Sequence, residues 1–328
     1  MQDSTSSPVP GRAGLRERLW WRAITSKRVL RFLATRVLNT DDPKIRARIF
    51  KLLGEVPGRD YAFADLGRER YLVPCRDQAI GRSVFVTGEY EFDKFERALQ
   101  LLRRHSALGE VDLLIDVGAN IGTVSIPAVA RGLVPAAVAI EPHPGNCLLL
   151  RANLALNRVD GRVTVHECAV GGADEETLAL ELSHDNQGDH RIAVSRDDGA
   201  FGELARRTIP IRSTRLDRLV PPQPGKRLLI WMDTQGYEGV VLQGASALLA
   251  ARVPIVSEFW PYGMRRAGGF ALFRDRLAGY RGFVDLQRGL AAGEVAGDRG
   301  ALRPMRELDD LHAALDVDPQ AYTDLLIV

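Results

Sequence analysis

Short, almost uninterrupted apolar segments that alternate with amphipathic ones constrain this chain more than any other feature. Most of these segments are followed by a stretch in which the apolar residues recur with helical spacing. Strands buried on both faces have this continuous apolar character, and their alternation with helices is typical of parallel sheets. We therefore predict an α/β fold with a mostly parallel sheet, with strands at 113–117, 136–141, 162–170, 227–233 and 253–259.

The segments around these strands predict helices, a hairpin and a last strand. Alternating residues on either side of Gly67 predict a small β-hairpin over 61–73. A polar region that ends near Ile211 is predicted to be rich in β-structure, and residues 322–328 are a plausible last strand. Helical spacing of apolar residues predicts helices over 88–104, 122–131, 144–157 and 237–250.

The first sixty residues differ from the rest in charge. They carry 13 Lys and Arg against 6 Asp and Glu, although the whole chain has a net charge of only +2. We predict a basic helical extension over 1–60, with about the first 11 residues disordered, and a main domain over 61–328. Residues 15–53 predict two helices, the second with Pro43 in its first turn and Asp42 as cap. These helices either dock on the main domain or contact an anionic membrane surface or a partner.

Composition excludes several classes of protein. The longest uncharged run, residues 117–130, is shorter than the roughly 18 apolar residues that a membrane-spanning helix needs. The three cysteines are odd in number and widely spaced, which argues against a disulfide framework and a zinc site. The N-terminus has no apolar core and so predicts no signal peptide. We expect a cytoplasmic protein, and the mildly acidic main domain argues against a nucleic-acid partner.

The run Asp-Val-Gly-Ala-Asn-Ile-Gly at 116–122 lies where the first buried strand turns into a helix. Ligands of open α/β sheets bind beyond the carboxyl ends of such strands. Glu141 ends the next strand, where its carboxylate can accept both hydroxyls of a ribose. Dinucleotide sites have Gly-x-Gly-x-x-Gly instead, and Asp116 beside a pyrophosphate would be unfavourable. We therefore expect S-adenosyl-L-methionine, a nucleoside with a cationic sulfonium, and keep a nicotinamide-dependent oxidoreductase as the alternative.

Four segments, taken in order, resemble the FkbM family of S-adenosylmethionine-dependent methyltransferases. They are DVGANIG at 116–122, IEPHPGN at 140–146, ECAVGG at 167–172 and IWMDTQGYEGVVLQGA at 230–245. The upstream GEYEFDKF is also similar to the family's lead-in, so the resemblance covers roughly residues 80–290. It implies a class I methyltransferase fold, a Rossmann-like sheet with helices on both faces. It also implies O-methylation of a hydroxyl on a small metabolite, polyketide, sugar or glycan.

The resemblance also implies which residues hold the cofactor. By position, Glu141 would hold the ribose, and Cys168 and Ala169 would lie along the adenine. Tyr90 and Glu91, in the lead-in, would close over the cofactor or simply pack at the start of a helix. The methionine portion would be held by Asp116, Gly118, Asn120 and Gly122.

Three residues are candidates for the base that takes the hydroxyl proton in methyl transfer. Asp233 ends the fourth strand, Glu258 ends the fifth, and His190 lies in the polar region after the third. Asp233 has the position expected on the substrate side, and capping of the next helix is its alternative role. A cation site built from these three would be unspecific, so we expect no metal.

One departure from the family stands beside Asp233. Where the family often has Lys-x-Asp-x-Glu-Gly, this chain has Trp231-Met232-Asp233-Thr234-Gln235-Gly236, so a lysine-dependent substrate contact would be absent. A degenerate domain that only binds partners is the non-enzyme alternative. The intact 116–122 loop and Glu141 argue against it.

Overall fold

The computed structural model describes residues 26–27, 40–106, 109–195, 197–287 and 300–328. The chain divides into two compact units, residues 1–49 and 50–328. In the first unit the described part includes the start of helix α1 (Pro43–Glu55). The predicted disordered residues and the first predicted helix of the extension lie outside the described residues. The domain boundary near residue 60 stays a prediction.

Helix α1 begins where the sequence predicts it. Oδ1 of Asp42 accepts hydrogen bonds from the backbone N–H groups of Lys44, at 2.8 Å, and Ile45, at 3.3 Å. Such groups have no partner within the first turn of a helix, so a carboxylate at this place satisfies them. The predicted cap is confirmed.

Strands and helices alternate along the second unit. Its strands are β1 (Tyr61–Asp65), β2 (Arg70–Pro74), β3 (Leu113–Val117), β4 (Ala137–Ile140), β5 (Val163–His166), β6 (Ala169–Val170), β7 (Glu176–Glu181), β8 (Arg191–Ile192), β9 (Thr208–Thr214), β10 (Leu228–Met232), β11 (Ile255–Phe259), β12 (Gly282–Asp285), β13 (Arg303–Pro304) and β14 (Thr323–Ile327). Its helices after α1 are α2 (Ile80–Thr87), α3 (Phe92–His105), α4 (Ser125–Ala130), α5 (Pro144–Leu156), α6 (Leu216–Leu219), α7 (Glu238–Gln243), α8 (Ser246–Ala250), α9 (Pro261–Arg266), α10 (Phe270–Leu277) and α11 (Leu308–Leu315). Among the described residues, no helix combines the length and the apolar content that crossing a bilayer requires.

Eight strands form the main sheet, in the spatial order β13-β12-β14-β11-β10-β3-β4-β5. The five strands from β5 to β11 in this order are parallel, and β14 pairs antiparallel with both β11 and β12. The chain extends the sheet from β3 towards β5 and then returns to the other side of β3 at β10. The carboxyl ends of β3 and β10 are therefore the switch point of the sheet. The predicted α/β fold, with its Rossmann-like sheet, is confirmed.

Every residue of β3 and of β10 is buried. Apolar side chains of both strands, such as Ile115 and Ile230, belong to one large core cluster together with Ile255 of β11. Burial at every position requires that both faces of the sheet are covered, which explains why these strands are apolar without alternation. The predicted hairpin is also confirmed, since β1 and β2 pair antiparallel.

The prediction of a single strand over 162–170 is wrong. β5 ends at His166, and the next two-residue strand, β6, pairs with β9 in a second sheet of order β6-β9-β7-β8. Because β5 is the edge of the main sheet, the chain beyond it takes its hydrogen bonds from β9 instead. The polar region that follows is rich in strands, as predicted.

The predicted helix over 237–250 is two helices, α7 and α8. At Gly244, between them, a Cβ atom would lie 2.1 Å from the carbonyl oxygen of Gly171. Helix α8 has its own cap, because Asp217 accepts hydrogen bonds from the N–H groups of Ala247, at 2.7 Å, and Leu248, at 3.1 Å. A cap from a residue so far back along the chain is not visible in the local sequence.

Helix α2 was not predicted, since its valines and threonine are typical of strands. Both of its ends carry a signal in the sequence. Asp77 accepts a hydrogen bond from the N–H of Gly81 at 3.0 Å. At the other end Gly88 has a φ of 89° and donates to the carbonyl of Val84 at 3.0 Å. These caps stabilise a helix that residue preferences alone disfavour.

Gly118→Ala is expected to disrupt the junction of β3 and β10. Gly118 has a φ of +90°, and a Cβ atom there would lie 1.9 Å from the carbonyl oxygen of Asp233. Gly132 also has a positive φ, +71°, but nothing lies within 4 Å of its Cβ position. A left-handed conformation costs a non-glycine residue about 1–2 kcal/mol. We expect Gly132→Ala to lose about that much free energy of unfolding in urea denaturation, and Gly118→Ala to lose clearly more. Equal losses would contradict a steric role for Gly118.

Candidate active site

A cavity of about 1030 Å³, counted with its open mouth, lies at the carboxyl ends of β3, β4 and β10. It therefore occupies the switch point of the sheet, where open α/β folds bind their ligands. The second sheet and the start of α3 contribute further walls. The predicted cofactor residues that line this cavity are Tyr90, Glu91, Asp116, Gly118, Asn120, Glu141, Cys168 and Ala169.

Asp116 is a buried carboxylate at the end of β3. Oγ of Ser125 in α4 donates a hydrogen bond to Oδ2 of Asp116. Burial raises the pKa of Asp116 to about 6, and the hydrogen bond from Ser125 opposes this rise. Among the described residues, no Arg or Lys forms an ion pair with it. A buried carboxylate without a counter-ion favours the binding of a cationic group.

Glu141, at the end of β4, holds the two loops that follow β3 and β4. Its Oε2 accepts the N–H of Asn120 at 2.9 Å, and its Oε1 accepts the N–H of His143 at 2.9 Å and Nδ2 of Asn146 at 3.4 Å. Burial raises the pKa of Glu141 to about 7, and these hydrogen bonds limit the rise. A carboxylate has about four acceptor positions. The geometry leaves one of them, on Oε2, for a ligand hydroxyl, where the sequence suggested room for two.

The glycines of the 116–122 loop are required for packing. The position that a Cβ of Gly118 would take is occupied by the carbonyl of Asp233. At Gly122, which has a φ of +93°, a Cβ would lie 2.6 Å from Ile126 and 2.8 Å from Leu150. Gly122 is not among the described residues that line the cavity. The structure places Gly122 against helices α4 and α5, and its predicted contact with the methionine portion stays a prediction.

Lys94 of α3 was missed by the sequence analysis. Its Nζ lies 2.8 Å from Glu91 and 2.7 Å from Asp324 of β14, and both carboxylates face the cavity. Burial lowers the pKa of Lys94, but the two carboxylates outweigh it and raise the pKa above its usual range. A signal was available in the sequence, because Asp324 directly precedes the apolar end of the chain, Leu325 to Val328.

Three carboxylates cluster at the carboxyl ends of β10 and β11. Asp233, Glu238 and Glu258 offer oxygens that all lie within 4.8 Å of one another. Nε2 of Gln235 bridges two of them, donating to Oδ1 of Asp233 at 2.8 Å and to Oε2 of Glu258 at 3.0 Å. Burial raises the pKa of all three carboxyl groups, and neighbouring carboxylates add to the rise. The three groups therefore resist simultaneous ionisation.

The three carboxylates of the cluster differ in their position relative to the cavity. Asp233 lines the cavity, whereas Glu238 and Glu258 are not among the described residues that do. Oε1 of Glu238 accepts hydrogen bonds from Thr234 N–H at 2.8 Å and from Gly236 N–H at 3.2 Å, so Glu238 holds the turn after β10. The alternative role of Asp233 as a helix cap is not observed at α7. Glu258 contacts Gln235, the side chain that holds Asp233, and its predicted contact with substrate stays a prediction.

The same three carboxylates offer oxygen atoms of the kind that hard cations such as Mg²⁺ and Ca²⁺ bind. In the described structure the amide group of Gln235 already bonds to two of them. His190, which we had grouped with Asp233 and Glu258, is not part of this cluster.

His190 lines the cavity as a hydrogen-bond donor. Its Nδ1 accepts the backbone N–H of Ser183 at 3.1 Å, so the proton of the neutral ring is on Nε2. The ring packs edge-on against His143, with centroids 4.5 Å apart. Burial lowers the pKa of His190 to about 3, and His143 and Arg206 add to this shift. With its acceptor nitrogen occupied, His190 is poorly suited to act as a base.

Trp231 occupies the place of the family's frequent lysine. Its ring lines the cavity and packs edge-on against Phe95 of α3, with centroids 5.6 Å apart. No cationic side chain is therefore contributed from this position. A cation that acts on the cluster comes from α3 instead, since Lys94 interacts electrostatically with both Asp233 and Glu258.

Residues 116–281 match the model of the methyltransferase FkbM domain. The chain belongs to the FkbM methyltransferase family. The match covers half of the chain and includes Asp116, Glu141, Asp233 and Glu258. This confirms the predicted family and makes the protein a methyltransferase.

Solved structures with similar folds are distant in sequence. A putative transferase from Pyrococcus horikoshii is 13% identical with a TM-score of 0.35, covering 87% of this chain and 82% of that chain. A precorrin-6y C5,15-methyltransferase from Geobacter metallireducens is 16% identical with a TM-score of 0.33, covering 70% and 83%. TYW2 of P. horikoshii, in complex with MeSAdo, is 10% identical with a TM-score of 0.37, covering 87% and 81%. No curated protein sequence matches this chain.

The stability of Glu141→Gln relative to the wild type is expected to increase as the pH rises from 4.5 to about 7. The pKa of Glu141 rises from its ordinary 4.5 to about 7 on folding. Between these values the folded protein binds more protons than the unfolded chain, so the contribution of Glu141 to the free energy of unfolding falls as the pH rises. Glutamine does not titrate and removes this loss. The measurement is the difference in melting temperature between variant and wild type at each pH.

The control for this experiment is Glu110→Gln, at a side chain that is 79% exposed. Lost hydrogen bonds at Glu141 add an offset that is the same at every pH, so only the slope of the difference counts. A difference that stays constant from pH 4.5 to 7 would contradict the raised pKa of Glu141.

Proposed function

We propose that the protein transfers a methyl group from S-adenosyl-L-methionine to a hydroxyl oxygen of a small-molecule or glycan acceptor. The charge of the cavity carries this proposal. Its described lining includes no Arg or Lys but five carboxylates, those of Glu91, Asp116, Glu141, Asp233 and Asp324. Such a cavity disfavours the pyrophosphate of a nicotinamide dinucleotide, which requires positive potential. It favours a nucleoside that carries a sulfonium and an ammonium group.

The donors and acceptors of the cavity fit this cofactor. Asp116 offers a buried carboxylate for its cationic end, and Glu141 has an acceptor position open for a ribose hydroxyl. Cys168 and Ala169 form an adjacent wall suited to the adenine. When bound, the cofactor supplies an electrophilic methyl group on a positively charged sulfur.

Asp116 and Glu141 act as binding groups in this proposal. A carboxylate near the sulfonium stabilises the charged reactant more than a transition state in which that charge is being lost, so it does not accelerate the transfer. The rate depends chiefly on holding the acceptor oxygen in line with the methyl group and the sulfur. The walls around the switch point supply this alignment.

Asp233 is our candidate for the base that takes the hydroxyl proton. Its carboxylate faces the cavity from β10, next to β3, and Gln235 fixes its orientation through Oδ1. Burial raises the pKa of Asp233 towards neutrality, which suits a group that must take up a proton during the reaction and release it afterwards. The other oxygen, Oδ2, is free to face the acceptor.

The partners and location that we propose are those expected from the sequence. The acidic cavity fits an acceptor that is not a nucleic acid. Contact of residues 15–53 with a membrane surface or a partner remains a proposal, since most of this segment lies outside the described residues. The cysteines are free, which fits the reducing cytoplasm that we propose as the location.

Glu141→Ala is expected to weaken the binding of S-adenosyl-L-methionine by at least about tenfold, since a hydrogen bond to a charged group is worth roughly 1.5–3 kcal/mol. Isothermal titration calorimetry on the full chain measures this directly. Glu110→Ala removes an exposed carboxylate and should bind like the wild type. No detectable heat with the wild-type protein would refute the cofactor itself.

Asp233→Asn is expected to lower kcat by at least about tenfold, because it removes a base whose contribution is typically 10²–10⁴-fold. The affinity for the cofactor and the melting temperature should stay near wild type, since the amide oxygen can still accept from Gln235. Single-turnover transfer of labelled methyl to a panel of hydroxyl compounds provides the measurement. Glu258→Gln, on the far side of Gln235, should have the smaller effect. An unchanged rate in Asp233→Asn would rule out Asp233 as the base.

A further inference from the structure

A second cavity, of about 330 Å³ when its open mouth is included, adjoins the first. Ile192, Gln235 and Tyr237 line both cavities, so only the thickness of these side chains separates them. The amide of Gln235 that forms part of this shared wall is also the one that holds Asp233. A ligand that reaches from Asp233 past this wall enters the second cavity.

Glu181, the last residue of β7, lines this second cavity. The residue is only 7% exposed, and among the described residues its carboxylate accepts no hydrogen bond and forms no ion pair within 4 Å. Arg206, Arg191 and Arg266 act on it electrostatically, and burial raises its pKa. Its oxygens are not among the fully buried described atoms that lack a hydrogen-bond partner, so they are open to the cavity and can accept a hydrogen bond from a ligand. The proposed methyl transfer involves no contact with Glu181.

The charges around Glu181 indicate what kind of ligand fits. The other charged groups pair among themselves: Arg191 and Arg206 with Asp189, and Arg191 and Arg266 with Glu203. When Glu181 is ionised, three carboxylates face three guanidinium groups and the charges balance. A charged ligand would leave a net charge in this partly buried place, which costs free energy. A neutral hydrogen-bond donor satisfies the carboxylate and leaves the balance intact.

The remaining walls of the cavity are mixed. Val194, Gly263 and Ala267 are small or apolar, whereas Ser195 and the guanidinium groups of Arg191 and Arg266 are polar. A ligand in this cavity therefore meets both apolar and polar groups, with its donor directed at Glu181.

We propose that the second cavity holds the part of the methyl acceptor remote from the methylated oxygen, where Glu181 selects acceptors by receiving a hydrogen bond from a neutral hydroxyl or amide N–H group. This inference rests on the proposed function. It adds a specificity-determining residue that lies outside the cofactor site and outside the Asp233 cluster.

Four small probes test the proposal on the full chain. Ethylene glycol offers neutral hydroxyls, acetamide a neutral N–H, acetate a negative charge and methylammonium a positive charge. Each is titrated in the presence of S-adenosyl-L-methionine into protein labelled at the glutamate side-chain carboxyl carbon. The NMR resonance of Glu181 is assigned by its absence in Glu181→Gln. The resonance of Glu175, whose side chain is 72% exposed, serves as the internal control in the same spectra.

We expect a saturable shift of the Glu181 resonance with ethylene glycol, acetamide or both, and none with the two charged probes. A response to ethylene glycol alone assigns a hydroxyl, and a response to acetamide alone assigns an amide. A saturable shift with acetate or methylammonium would overturn the proposal, and so would the absence of a shift with all four probes.

Calorimetry separates this result from the proposed function. Glu181→Gln should bind S-adenosyl-L-methionine as tightly as the wild type, because Glu181 lies outside the cofactor's part of the cavity. A tenfold loss of cofactor affinity would make Glu181 a cofactor residue and refute its role at the acceptor. If the wild type fails to bind the cofactor, the proposed function fails, whereas the response of Glu181 to the probes is read independently.

Discussion

The contact between the carboxyl ends of β3 and β10 is the constraint on which the site depends. The N–H of Asp233 donates to the carbonyl of Val117 at 3.0 Å, and the carbonyl of Asp233 fills the space that a side chain at residue 118 would need. Only glycine permits this approach at a φ of +90°. The contact brings a carboxylate from each strand, Asp116 and Asp233, to one cavity, although 117 positions separate them in the chain. In the proposed chemistry Asp116 binds the cofactor and Asp233 takes the proton, so the reaction uses both.

The cavity gathers carboxylates that the folded protein alone does not neutralise. Burial raises the pKa of Asp116, Asp233 and Glu141, so their ionised forms weaken the folded state at neutral pH. Lys94 compensates only part of this charge, since it is paired with Glu91 and Asp324. A cationic ligand would offset this repulsion, because an opposite charge nearby favours the ionised form of a carboxylate.

Local patterns predicted the sheet well and its boundaries less well. The strands at 113–117 and 253–259 appear almost at their predicted ends, because a strand buried on both faces is apolar at every position. The strand at 162–170 and the helix at 237–250 were each too long. Their breaks depend on β9 and on Asp217, partners that lie far away in the sequence. Helix α2 has no counterpart among the predicted elements, and its valines and threonine favour strands.

For the site, the sequence by itself predicted the carboxylates of the proposed cofactor half. Asp116 lies near the end of β3 and Glu141 directly follows β4, and ligands of open α/β sheets bind at these strand ends. Only the tertiary structure brings together the residues of the proposed acceptor half. Lys94, Gln235 and Glu181 come from α3, the turn after β10 and the second sheet, and their roles depend on distances between elements that no local pattern encodes. The same holds for Gly122, whose neighbours in space, Ile126 and Leu150, belong to two different helices.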